Sequence, residues 1–132
     1  MKGGWTFRYR DCGYGPAPII PIQLLMGDHR VGLMAVVDTG ATETLLEGVH
    51  LRAAGIDIFS GRPRAFQGFL GTRATAYLHR CHVLVGELEV DLEVAFSTQP
   101  LLREVLGRDI LAHFVLEVRE RAMELSLKPD PE

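Results

Sequence analysis

At 132 residues, with 47% hydrophobic and 23% charged residues, the chain has apolar material for one core and no room for a second domain. Its formal net charge is -3 and its arginines are scattered, which excludes nucleic acid as an expected partner. No apolar run approaches the roughly 20 residues that span a bilayer, and Met1 to Arg8 lack the apolar core of a signal peptide, so a cytoplasmic protein with no membrane contact is expected.

In chain order, residues 1–16 mix aromatics, arginines and glycines and end in the punctuating run Cys12-Gly13-Tyr14-Gly15-Pro16, which reads as an N-terminal arm or an edge strand. Trp5, Phe7 and Tyr9 alternate as one strand face does, for packing or an interface. Ile19 to Met26 and Val31 to Val37 are apolar runs around the turn chemistry of Gly27-Asp28-His29-Arg30, a hairpin that leads into Asp38. Thr44-Leu45-Leu46 predicts a short strand, Glu47 to Ala54 a helical turn or two, and Gly55 its C-cap; a loop with Gly61 and Pro63 follows.

Arg64 to Leu78 predicts a hairpin whose tip, Gly68-Phe69-Leu70-Gly71, holds two apolar residues between glycines. Such a tip either packs locally as a tight turn or closes over something. Leu78 to Val85, then Leu88, Val90, Leu92, Val94 and Phe96 alternating with Glu87, Glu89, Asp91 and Glu93, form the clearest period-two pattern, the second strand having one acidic face. Gln99-Pro100-Leu101-Leu102 opens a loop, and Val105-Leu106-Gly107-Arg108-Asp109 leads to a short helix ending near His113. Phe114 to Val118 and Met123 to Leu127 predict a closing hairpin, with 128–132 as a loose tail. No repeat or low-complexity tract interrupts this order, and the sum is a mainly β, small closed barrel-like fold with one or two short helices.

The chemistry concentrates at Val36-Val37-Asp38-Thr39-Gly40-Ala41, where an apolar strand ends by delivering a carboxylate into a turn. The plain reading is an Asp-initiated turn. The alternative is that partial desolvation suits the carboxyl to general acid or base work. Other constellations are weaker. His79-Arg80-Cys81-His82 splits its side chains between two strand faces and lacks a fourth ligand, so ordinary strand residues and no metal are expected. Cys12 and Cys81 match no CxxC spacing and read as free thiols in a reducing compartment. No Ser-His-Asp signature, phosphate loop or dinucleotide fingerprint is present, and His50 and His113 have no nucleophile to serve.

Three segments in this order and spacing, the apolar run into Asp38-Thr39-Gly40-Ala41, the Gly68 to Gly71 tip and Val105-Leu106-Gly107-Arg108-Asp109, resemble the retropepsin-like aspartic proteases, the retroviral type with its cellular and bacterial relatives. The similarity covers Pro18 to Leu127, giving a protease domain over 17–127. The resemblance implies an acid-protease fold with one lobe per chain, a homodimer, a peptide or protein substrate and no cofactor. Carried onto this chain it makes Asp38 the catalytic acid, Thr39 a hydroxyl tie between the two active-site loops and Gly40 a carbonyl for the substrate. Ala41, Thr42, Leu101, Val105 and the flap residues Gly68, Phe69, Leu70 and Gly71 would meet the peptide. Leu106 and Gly107 would support the active-site loop, beside Asp109, and Arg108 would hold the short helix to the sheet. Three features depart from the pattern: the flap has fewer glycines, Thr42 stands where the viral enzymes place a second acid, and a long N-terminal arm and a final hairpin stand in place of the short terminal strands through which the viral type dimerises.

Independently of that family, hydrolysing an amide without a metal or a nucleophilic side chain needs one group to take a proton from water and another to give one to the leaving nitrogen. Two carboxyls sharing a proton do both. This chain offers one suitable Asp, so the second is expected from a second chain. A non-catalytic dimerisation or peptide-binding module on the same fold is the rival reading. An Asp-x-Gly phosphate loop would need far more chain.

Overall fold

The computed structural model describes residues 3–67 and 71–131. The strands are β1 (Trp5–Arg8), β2 (Arg10–Asp11), β3 (Pro16–Ala17), β4 (Ile19–Met26), β5 (His29–Val37) and β6 (Leu45–Glu47). Helix α1 (Val49–Ala53) and a 3-10 turn (Ile58–Ser60) lead to β7 (Arg62–Gln67), β8 (Arg73–Val85), β9 (Leu88–Ser97) and β10 (Val105–Leu106). Helix α2 (Arg108–Leu111) then precedes β11 (Phe114–Arg119) and β12 (Glu124–Pro129).

The period-two pattern decides the architecture. Along β4, Ile20, Ile22, Leu24 and Met26 turn inward, and Val83, Val85, Val94 and Phe96 do the same from β8 and β9. Each fully buried aliphatic chain of this kind contributes about 1.5–3 kcal/mol. The large sheet runs β4-β5-β10-β6-β9-β8-β7, and β4 also pairs with β8, so its strands close on themselves and leave β7 as an outer edge. This is the expected mainly β, closed arrangement with two short helices.

A second sheet, β1-β12-β11, covers the same core through Leu125, Leu127 and Phe114. The N-terminal segment is thus an edge strand: Trp5 pairs with Leu127, and Trp5, Phe7 and Tyr9 pack on the core. Trp5 also fixes the β8–β9 turn. A Cβ on Gly86 would lie 2.4 Å from the indole, and its φ of 60° is a left-handed conformation that glycine adopts without strain.

Three expectations shift. Pro63, expected in a loop, lies within β7, where an outer edge tolerates its missing N–H. Strand β8 runs from Arg73 to Val85, so the second arm of the Arg64–Leu78 hairpin and the strand expected from Leu78 are one long element, with β7 as the first arm. The residues expected as a loose tail from Lys128 are ordered further: Lys128 pairs with Val115, Pro129 with Phe114, and the Asp130 N–H donates to the His113 carbonyl at 3.0 Å.

Candidate active site

The loop from Asp38 to Thr44 joins β5 to β6, and β10 is inserted between those two strands, parallel to β5 and antiparallel to β6. That insertion positions the acid. The Asp38 N–H donates to the Leu106 carbonyl at 3.0 Å, and the Arg108 N–H donates to the Ala41 carbonyl at 2.9 Å, so both ends of the turn hang on the Val105–Arg108 segment. Within the turn, the Gly40 N–H donates to Asp38 Oδ1 at 2.9 Å and the Ala41 N–H to the Asp38 carbonyl at 3.2 Å. Asp38 is half-buried, whereas Thr39 and Gly40 are exposed beside it.

Behind the turn sits a saturated polar brace. The Asp109 carboxylate accepts the Thr44 N–H at 3.0 Å, the Thr44 hydroxyl at 2.7 Å and the Ile110 N–H at 2.8 Å. Thr44 is fully buried, and its oxygen accepts the Gly107 N–H at 3.0 Å. Gly107 passes so close to Glu43 that a Cβ would lie 2.4 Å from its backbone carbon, so the glycine is required by space.

A cleft of about 500 Å³ opens over the turn, lined by Asp38, Gly40, Ala41, Thr42, Glu43 and Leu45, by Val105, and by Arg64 to Gln67 of β7. An ion pair between Arg64 and Glu43 joins β7 to the loop, and Phe66 packs with Leu45 on a small apolar cluster of Ala76, Leu78 and Ala95. Glu43 Oε1 is buried with no hydrogen-bond partner among the described residues. A somewhat larger cavity, about 590 Å³, lies between α1, the 3-10 turn and the β9–β10 loop. Its carboxylates serve structure: Glu47 accepts the Leu101 N–H at 2.8 Å, and Asp57 caps the 3-10 turn through the Phe59 N–H at 3.0 Å. The Asp38 cleft, whose acid is not committed to bracing a neighbouring segment, is therefore the candidate site.

Several residues read from the sequence converge here: Asp38, Gly40, Ala41, Thr42 and Val105 line the cleft, Thr39 borders it, and Leu106, Gly107 and Asp109 form the support. Arg108 is exposed and its guanidinium donates to Thr42 Oγ1 at 3.4 Å, and its neighbour Asp109 adds a shorter tie between helix and loop through the Thr44 hydroxyl at 2.7 Å. Leu101 does not line the cleft; Glu47 holds its backbone against the α1 side. Gly71 is exposed with φ 82°, and Gly68, Phe69 and Leu70 lie outside the described residues. Glu43, Arg64 and Phe66 escaped sequence reading, although the alternation of Arg64 and Phe66 along an edge strand was a usable signal. In the His79–His82 run, His79 Nε2 meets the Ile58 carbonyl at 2.7 Å, Cys81 is buried in the core and His82 pairs with Glu89 at 2.7 Å.

An aspartate turn held by an inserted strand, in a one-lobed closed β fold, defines an acid-protease lobe. The family model for retroviral aspartyl proteases matches residues 17–119, and the chain belongs to that family. Among solved structures it is similar to a retropepsin-like aspartic protease from Rickettsia conorii, with TM-score 0.69 and 19% identity over 96% of this chain and 100% of that one. It is also similar to the EIAV protease complexed with the inhibitor HBY-793, with TM-score 0.56 and 20% identity over 73% of this chain and 86% of that one. At these identities the likeness establishes the fold. Among curated proteins no significant sequence match is found.

Proposed function

We propose that the chain is a homodimeric aspartic endopeptidase in which a water is activated between two Asp38 carboxyls, one from each chain. The observation that carries this reading is the carboxylate inventory of the cleft. Asp38 faces it, and the other acid among its described lining residues, Glu43, is engaged by Arg64. A single carboxyl cannot be ionised to take a proton from water and protonated to give one to the carbonyl oxygen at the same moment, so in this reading the lobe supplies half of the machinery.

In the reaction, the ionised member of the pair takes a proton from water as the water oxygen bonds to the scissile carbonyl carbon. The protonated member donates to the carbonyl oxygen. In the collapse of this gem-diol adduct the C–N bond breaks as the leaving nitrogen receives the proton taken from water, while the other carboxylate takes a proton from one of the adduct's hydroxyls, which forms the product C=O and returns the pair to its singly protonated state. Thr39 would tie the two loops by its hydroxyl, and the Gly40 carbonyl would receive a substrate N–H. The peptide would bind extended along β7, an edge strand open to pairing. Leu45, Phe66 and Val105 favour bulky apolar side chains at the scissile bond. A reducing cytoplasmic setting belongs to this reading, supported by Cys12 and Cys81 both being free.

The test is incubation with a diverse peptide mixture across pH, with cleavage sites read by mass spectrometry. Expected are cuts between bulky apolar residues, unaffected by chelators and fading as pH rises above the upper titration step of the dyad. Cuts beside charged residues, or full inhibition by a chelator that added metal reverses, would contradict it.

A further inference from the structure

The segment Thr98–Glu104 enters β10, which backs the Asp38 turn, and it is stapled along its length. Ser97 Oγ accepts the Gln99 N–H at 3.0 Å, and the Glu47 carboxylate accepts the Leu101 N–H at 2.8 Å. At the far end, Glu104 Oε2 accepts the Glu47 N–H at 2.9 Å and meets His50 Nε2 of α1 at 2.6 Å. The His50 and Glu104 side chains are 14% and 16% exposed, so water competes weakly for the contact. The backbone of Glu104 matters as much: its carbonyl accepts the Val36 N–H at 2.8 Å, two residues before Asp38, and the next pair of strand residues delivers the Leu106 carbonyl to the Asp38 N–H.

We infer that His50 is a positioning residue for the active-site turn, acting through Glu104, and that its protonation sets how firmly β10 is held against the strand carrying Asp38. The inference rests on reading Asp38 as the catalytic acid. Protonated His50 makes an ion pair with the Glu104 carboxylate in addition to the hydrogen bond, while neutral His50 leaves the hydrogen bond alone. The charged groups around it are Glu104 from the β9–β10 loop, Glu47 from β6 and Arg52 on its own helix. The hydrogen bond to Glu104 raises His50 above its ordinary 6.5; burial opposes this, and the charges of Glu104 and Glu47 add to it. A raised folded-state value means that the stabilisation is fully present below about 6.5 and is lost as pH rises through the folded value.

The test uses the full chain carrying Asp38→Asn, which silences the catalytic carboxyl, and follows His50 and backbone amides by NMR as pH is raised. Expected is a His50 midpoint above 6.5, with the amides of Val36, Leu101 and Glu47 moving at the same midpoint. In the added His50→Gln variant those amides should stop responding over that range. On the Asp38 background, His50→Gln should lower kcat/KM for a cleaved peptide roughly three- to tenfold below pH 6.5 and by less above the His50 midpoint. Glu104→Gln, which keeps the shape and removes the charge, should lower the His50 midpoint. Amides that ignore the His50 titration, a His50→Gln protein whose amides still move with it, or a midpoint unmoved in Glu104→Gln would overturn the inference. If no peptide is cleaved by the Asp38 protein while the amides follow His50, the proposed function fails and the structural coupling stands.

Discussion

Asp38 and Asp109 lie on two sides of one loop, and their carboxylates are held in opposite ways. Asp109 accepts hydrogen bonds from the backbone and hydroxyl of buried Thr44 and from the Ile110 N–H, so its carboxylate is committed to structure. Asp38 accepts from the Gly40 N–H and otherwise faces a cleft. The difference shows what a carboxylate needs for each role. A structural one is saturated by fixed donors, whereas a reactive one is oriented by a single backbone donor and leaves its remaining lone pairs for water and substrate.

Substitutions should separate the two. Asp38→Asn is expected to give the largest effect, a loss of roughly 10²–10⁴ or more in kcat, with a denaturant midpoint close to that of the parent. Asp109→Ala should do the reverse. It strands the buried Thr44 donors and should cost about 2–4 kcal/mol in chemical unfolding, and activity lost below the transition should return when the variant is stabilised by ligand. Gly86→Ala, away from both acids, sharpens the comparison by testing packing alone: the crowded indole of Trp5 and the positive φ predict a loss of about 1–3 kcal/mol with catalysis unchanged in the folded fraction. Arg64→Ala should be mildest for stability, about 0.5–1 kcal/mol, since the pair with Glu43 is partly exposed. Its readout is KM, which should change because β7 loses its tether to the cleft loop.

How much of this was legible in the sequence depends on range. The strand into Asp38 and the β8–β9 hairpin announce themselves because period-two alternation and turn residues are local signals. Asp109–Thr44, 65 residues apart, and His50–Glu104, 54 apart, leave no such trace; the fold has to bring them together. Boundaries failed for particular reasons. Pro63 masked the start of β7 because a proline reads as a breaker unless its strand is known to be an edge. Lys128 and Pro129 look like a polar end until their pairing with β11 is seen. Cys81 was correctly read as a free thiol but not as an inert one: burial first, and then the charge of Asp91, push it up to about 12.

The central claim, that one active site uses Asp38 from two chains, is tested most directly by mixing. Asp38→Asn protein is titrated into a fixed amount of the parent chain under conditions where exchange between dimers is complete, and peptide cleavage is measured against the mole fraction of mutant. A shared dyad predicts that mixed dimers are inactive, so activity falls in proportion to the parent homodimer that remains, which is the square of the parent fraction in each total amount of dimer. If mixed dimers form and each retains half the activity of a parent homodimer, that is, full activity per parent chain, each chain carries a complete site, and the shared-carboxyl account is wrong.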